Sequence, residues 1–97
     1  MAHWLLTYDL AADYLDRRTA FRDEHLTLAR EAAARGALLL GGALDPPEQA
    51  LLLFHGDTPA AAEAFAAADP YVANGLIARW SVRQWITVVG EAAANPL

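Results

Sequence analysis

Ala68-Asp69-Pro70-Tyr71-Val72-Ala73-Asn74-Gly75-Leu76 is the most strongly punctuated stretch of this chain, and it fixes how a helix hands over to a strand. A residue before proline is pushed out of the α region, so a helix arriving from upstream stops near Asp69. Pro70 to Asn74 then allows one further helical turn, and Gly75 supplies the left-handed residue that ends it. Upstream, Thr58-Pro59 reads as an N-cap followed by proline at the first helical position. The second helix is therefore expected over Pro59 to Ala68, with Ala61, Ala64, Phe65 and Ala68 facing inward. Downstream, Ile77 to Val89 alternates, with Trp80, Val82, Ile86 and Val88 on one face and Arg79, Ser81, Arg83 and Trp85 on the other. Strands usually run about 5–6 residues, so the end of this one is expected to project toward a partner. Glu91 to Leu97 reads as a frayed tail.

The remaining elements follow from the same rules. His3 to Asp9 alternates with aromatics and is expected to be the first strand. Ala11 to Arg18 is polar, with a helical turn started by Asp13 or Asp16. The main helix is expected from about Thr19 to Arg35, capped by Gly36, with Phe21, His25, Leu28, Ala29 and Ala32 on one face. Ala37 to Ala43 is too short for a helix and is expected to be a buried strand. Asp45-Pro46-Pro47-Glu48 is a turn, and Gln49 to His55 returns as a third strand to complete a hairpin. The order is βαββαβ, an α+β ferredoxin-like plait with both helices on one face of an antiparallel sheet. Trp4, Trp80, Trp85 and many aliphatics on the strands would leave the other face a large apolar patch, and a homodimer is the economical way to cover it.

Composition narrows the function classes. Ninety-seven residues make one domain, expected over 1–90 with 91–97 as the tail. The chain has no cysteine, which removes disulfides, thiol nucleophiles and thiolate metal sites, and no lysine, which removes Schiff-base chemistry. A net charge of −5 argues against a nucleic-acid partner. The longest apolar runs are far too short to span a bilayer, and the N-terminus enters a strand pattern directly without a leader, so no membrane partner and a cytoplasmic location are expected.

Several motifs resemble one family. Arg22-x-x-His25-Leu26, the helix exit Arg35-Gly36-x-Leu38-Leu39, Gly41-Gly42, and Asp69-Pro70-Tyr71-Val72-x-x-Gly75-Leu76 look like the YciI (YCII-related) family, over nearly the whole chain and in the right order. Ser81-Val82 and Trp85 on the last strand fit as well. The resemblance implies a domain of the dimeric α+β barrel type, with His25 and Asp69 as the active-site pair. Gly42-Ala43 stands where the family often has Gly-Pro, and the Asp45–Glu48 connection is compressed, so a pocket closed by that loop would be altered. One branch of the family is associated with dehydrochlorination of chlorinated hydroxyquinols.

Read by themselves, the same residues keep two meanings. A histidine on an apolar helix stripe must satisfy its buried N–H, and a backbone carbonyl would serve as well as a catalytic partner. Asp-Pro after a helix is a common stop in which the carboxylate binds nearby amides. If His25 and Asp69 meet, the carboxylate fixes one imidazole nitrogen and frees the other as a general base or acid. Arg22, one turn before His25, can steer an anionic substrate or simply form a surface ion pair. Tyr71, Tyr8 and Ser81 are candidate substrate contacts, although tyrosines are more often core aromatics and Ser81 lies outside any nucleophile motif. Arg79 and Arg83, two apart on one strand face, can line an anion-accepting surface or hold the dimer together, and the dimer is the favoured reading. His3, His25 and His55 belong to separate elements, so no metal is expected, and no cofactor motif is present. The expected function is a cofactor-independent acid–base enzyme of elimination or hydrolysis type, acting on a small phenolic or carboxylated molecule. A non-catalytic ligand-binding or interaction domain is the alternative, and a subunit of a larger catalytic protein a weaker third.

Overall fold

A computed structural model describes residues 1–97. Four strands, β1 (Ala2–Leu10), β2 (Leu38–Ala43), β3 (Gln49–Gly56) and β4 (Ile77–Trp85), form one antiparallel sheet in the order β2-β3-β1-β4. Helices α1 (Tyr14–Arg17), α2 (Arg22–Ala34), α3 (Ala60–Ala68) and α4 (Pro70–Ala73) fill the connections on either side of the β2–β3 hairpin. This is the ferredoxin-like α+β plait that the element order predicts. The core lies between sheet and helices, where Leu6, Tyr8, Leu52 and Phe54 from the two central strands meet Ala32, Phe65, Ala66 and Tyr71.

Both helix-to-strand passages use the same device. At the end of α2 the N–H of Gly36 binds the carbonyl of Ala33 and the N–H of Ala37 that of Ala32, with Gly36 at φ 78°. After α4 the N–H of Gly75 binds the carbonyl of Val72 and the N–H of Leu76 that of Tyr71, with Gly75 at φ 77°. These are paired Schellman closures, which require a left-handed residue and so favour glycine. They turn the chain sharply enough to deliver Leu38 and Ile77 straight into their strands.

Six local expectations are corrected. Helix α2 begins at Arg22 instead of Thr19, because Arg18–Ala20 forms a 3-10 turn and Phe21 leaves the helical region at φ −120°, ψ 0°. Helix α3 begins at Ala60, where the N–H binds the Thr58 hydroxyl at 3.3 Å. It buries Ala62, Phe65 and Ala66, while Ala61, Ala64 and Ala68 are exposed. In so alanine-rich a helix the apolar period carries no phase, and the two large landmarks, Phe65 and Asp69, set it instead. Strand β2 is an exposed edge in which only Leu38 is buried, since one face borders a cavity and the other lies on the uncovered side of the sheet. Strand β4 stops at Trp85, opposite His3, one residue short of the start of β1. Beyond it the chain turns back at Gly90: the N–H groups of Asn95 and Leu97 bind the carbonyls of Thr87 and Val88, so the terminal residues are tied down instead of frayed.

The sheet's second face carries Leu5, Leu51 and Leu53 half-buried and Leu40 and Trp85 exposed. Arg79, expected at a dimer contact, pairs within the chain, its guanidinium 2.9 Å from the Asp9 carboxylate across the β1–β4 ladder. Gln49 donates to the same carboxylate at 2.8 Å, and these two hydrogen bonds hold the Asp9 carboxyl below its ordinary range. No helix is long and apolar enough to cross a membrane.

Candidate active site

The Asp69-Pro70 step gives the site its fixed point. Asp69 is extended at ψ 122°, as the following proline requires, and it caps α4 by accepting from the Tyr71 N–H at 3.0 Å. Capping turns its carboxylate into the core, where it is fully buried. There Oδ2 accepts from the Tyr8 hydroxyl at 2.7 Å, and His25 Nδ1 lies 2.9 Å from Oδ1 and 3.0 Å from Oδ2. One side chain therefore both caps the helix and meets His25.

The donor count fixes the histidine tautomer. An ionised carboxylate only accepts hydrogen bonds. Tyr8 and the Tyr71 amide each donate a proton to it, so against an ionised Asp69 His25 donates from Nδ1, and the neutral ring then carries its lone pair on Nε2. No buried polar side-chain atom lacks a partner, and Nε2 has none within the protein, so this nitrogen is the one open to solvent. The imidazole lies flat on the Tyr71 ring, with centroids 4.0 Å apart and planes 7° apart, and Phe65 meets it edge-on at 6.2 Å. Its orientation is thus set by a carboxylate on one edge and aromatic faces on the others.

His25 borders a cavity of about 290 Å³ between α2 and the β2–β3–β1 surface. Tyr8, Tyr71, Arg22 and the previously unremarked Tyr14 and Arg18 share its lining, with Leu26, Ala29, Leu38 and Leu52 as apolar wall. Tyr14 meets Tyr71 edge-on at 5.7 Å. Burial, with the Asp69 carboxylate beside it, pushes the Tyr8 hydroxyl far above the ordinary tyrosine range, so it stays a donor. Burial also raises Tyr71, as does Tyr14, while Arg22 and Arg18 pull it down. Gly41 lines the cavity, and a Cβ there would stand 3.2 Å from the Leu52 side chain.

The structure brings together His25, Asp69, Tyr8, Tyr71 and Arg22. It does not bring Ser81, which is exposed on β4 opposite Thr7, on the face away from the cavity. Tyr8 also differs in part from the substrate contact expected, because its hydroxyl is committed to Asp69. Tyr14 and Arg18 escaped the sequence reading, although Tyr14, Arg18 and Arg22 follow one another at steps of four ahead of His25, a spacing that places them on one side of a helical segment.

The family model for the YCII-related domain matches residues 1–86. The chain belongs to the YCII-related family. A search of curated proteins found no match. Among solved structures, the chain is similar to 5-chloro-2-hydroxyhydroquinone dehydrochlorinase (TftG) of Burkholderia phenoliruptrix AC1100, a complex with 2,5-dihydroxybenzoquinone, at 19% identity and TM-score 0.73, covering 88% of this chain and 94% of that one. It is also similar to a NIPSNAP family protein of Agrobacterium tumefaciens C58, at 13% identity and TM-score 0.59 over 95% of each chain. A third likeness is to an antibiotic biosynthesis monooxygenase, so described provisionally, of Deinococcus radiodurans, at 20% identity and TM-score 0.53 over 95% of each chain. At such identities these likenesses establish the shared α+β fold and nothing finer.

Proposed function

We propose that this YCII-related protein is a cofactor-independent acid–base enzyme acting on a small organic molecule by elimination or hydrolysis. The observation that carries the reading is the His25 imidazole, held at Nδ1 by the buried Asp69 carboxylate, unpartnered within the protein at Nε2, on a residue that lines the cavity. Nε2 takes a proton from the substrate, and the electron pair left behind forms a double bond as a leaving group departs with its own pair from the neighbouring atom. The imidazolium so formed faces the Asp69 anion, which stabilises it where the charge develops. In the hydrolytic variant the same nitrogen takes its proton from water. Tyr8 holds Asp69, and Tyr71 supports the imidazole ring. The dehydrochlorinase among the similar structures makes 5-chloro-2-hydroxyhydroquinone the first substrate to try, with chloride release as the readout.

A second reading is favoured by the same hub. Asp69 ties β1, α2 and α4 together through three hydrogen-bond donors, which is also what a purely structural network would do in a binding domain without turnover. His25→Gln separates the two. The enzyme reading expects turnover to fall about 10²- to 10⁴-fold with the melting temperature little changed. Turnover that survives, accompanied by a clear drop in melting temperature, would assign the pair to structure.

The proposal includes a homodimer that buries the uncovered sheet face. Leu40 and Trp85, respectively 67% and 49% exposed, stand on it beside the half-buried Leu5, Leu51 and Leu53. Sedimentation equilibrium should give twice the monomer mass, and Leu53→Glu should halve it.

A further inference from the structure

We propose that Arg18 and Arg22 form an anion subsite at the mouth of the His25 cavity, and that its occupant is a compact organic oxyanion with a flat apolar body. The inference rests on the cavity assigned above and names the chemistry of the molecule bound there.

Both arginines line the cavity, and neither makes an ion pair or a hydrogen bond. Arg17 is engaged with Asp13 and the Asn74 carbonyl, and Arg79 with Asp9, whereas Arg30, Arg35 and Arg83 are also unpaired but do not line the cavity. Arg18 and Arg22 are thus the two free guanidiniums that border it. Arg18 is half-buried, and its guanidinium carbon sits 5.9 Å from the centre of the Tyr14 ring, a cation–π distance that positions it without neutralising it.

Their place in the chain adds to the positive field. Arg22 is the first residue of α2 and Arg18 lies one turn earlier, at the helix end where the macrodipole disfavours cations. The acidic residues of that first turn, Asp23 and Glu24, border a separate depression toward Ala68 and Pro70. An incoming oxyanion would therefore meet two unpaired guanidiniums without having to displace an internal carboxylate. The same two cations oppose the effect of burial on the Tyr71 hydroxyl, so their field reaches the ring on which His25 is stacked.

Size and shape define the rest of the occupant. A cavity of about 150 Å³ suffices for benzene, and this one measures about 290 Å³. It has room for one ring with substituents. The stacked His25 and Tyr71 rings border it together with the aliphatic side chains of Leu10, Leu26, Leu38, Leu52 and Ile77. A guanidinium pair favours an oxygen-centred anion, and a carboxylate most of all, because two parallel N–H groups can meet its two oxygens.

The test is an NMR titration that follows the His25 and Tyr71 ring signals, with benzoate, 4-nitrophenolate and benzamide as probes above neutral pH. Benzoate and the phenolate should shift both rings, and benzamide should bind at least about tenfold more weakly. Their order tells a carboxylate occupant from a phenolic one. Arg18→Gln and Arg22→Gln should each weaken anion binding about tenfold, the corresponding lysine variants less, and both effects should diminish with added salt. Arg30→Gln, which removes the same charge from the exposed side of α2, should leave binding unchanged. Equal affinity for benzoate and benzamide, undiminished anion affinity in the Arg18→Gln/Arg22→Gln double variant, or no shift with either anion would overturn the subsite. The readout is binding, so a protein that holds benzoate through these arginines yet turns nothing over would keep the subsite and lose the acid–base reading.

Discussion

Two histidines occupy opposite faces of one sheet and differ in what they are bonded to. His25 reaches across the helical layer to a fully buried carboxylate that also accepts from Tyr8 on β1. His3, five residues before Tyr8 on the same strand, points to the other face. There its Nδ1 lies 2.7 Å from the Thr87 hydroxyl, and its ring meets His55 edge-on at 5.9 Å. Both rings are largely shielded. A hydroxyl both donates and accepts, however, and the Thr87 oxygen already accepts from the Ala94 N–H at 2.8 Å, so that contact suits either tautomer of His3. The Asp69 carboxylate accepts only, which dictates the tautomer of the neutral His25 ring and leaves Nε2 without a partner in the protein. Burial alone does not make a histidine chemically useful; the kind of partner does.

The largest effect expected from disturbing this contrast is at Asp69. Asp69→Ala leaves the Tyr8 hydroxyl, the Tyr71 amide and the His25 N–H without their acceptor. At about 1–3 kcal/mol for each buried group left unpaired, and without assuming additivity, the loss should be on the order of 3 kcal/mol or more. In a domain of this size that lowers the melting temperature by roughly 10 °C or more, and calorimetry would measure it.

Tyr8→Phe should cost less, about 1–2 kcal/mol, because it removes one donor and leaves the His25 bond in place. It should also change the alkaline limb of stability. The folded protein keeps the Tyr8 proton at a pH where the unfolded chain releases it, near 10.0. The native state therefore binds more protons above that point, so the contribution is intact below it and is lost as pH rises through it. Urea unfolding between about pH 8 and pH 11 should show the wild type losing stability more steeply than Tyr8→Phe. Equal slopes would mean that Tyr8 is not held as described. Thr87→Val, at the His3 end, removes the partner of His3 Nδ1 and the acceptor of the Ala94 N–H, both only part-buried, and should cost about 1 kcal/mol with no effect on ligand binding at His25.

Much of this arrangement can be read from the chain. Asp-Pro with a glycine six residues on determines a helix stop, a cap and a Schellman exit, and the apolar stripe through Phe21, Leu28 and Ala32 turns His25 toward that cap. What escaped reading has identifiable causes. Arg18 and Tyr14 were hidden because a 3-10 turn interrupts the helix that would have displayed their spacing with Arg22. The inward face of α3 was misjudged because alanine at nearly every position erases the period. Ser81 alternates correctly along its strand but stands on the far face, and only strand pairing with Thr7 reveals which face that is. The tail was underrated because its order comes from Thr87 and backbone carbonyls, which leave no hydrophobic pattern.

The most direct test of the His25–Asp69 pairing is the imidazole nitrogen spectrum of the three histidines, recorded by long-range proton–nitrogen correlation in the wild type and in Asp69→Asn, with His3 and His55 as internal references. His25 should appear in the wild type with its proton on Nδ1 and an unprotonated Nε2, and should lose that fixed pattern in Asp69→Asn while the other two histidines stay unchanged. A wild-type His25 protonated on Nε2, or one whose spectrum is the same in both proteins, would contradict the pairing and with it the acid–base function built on it.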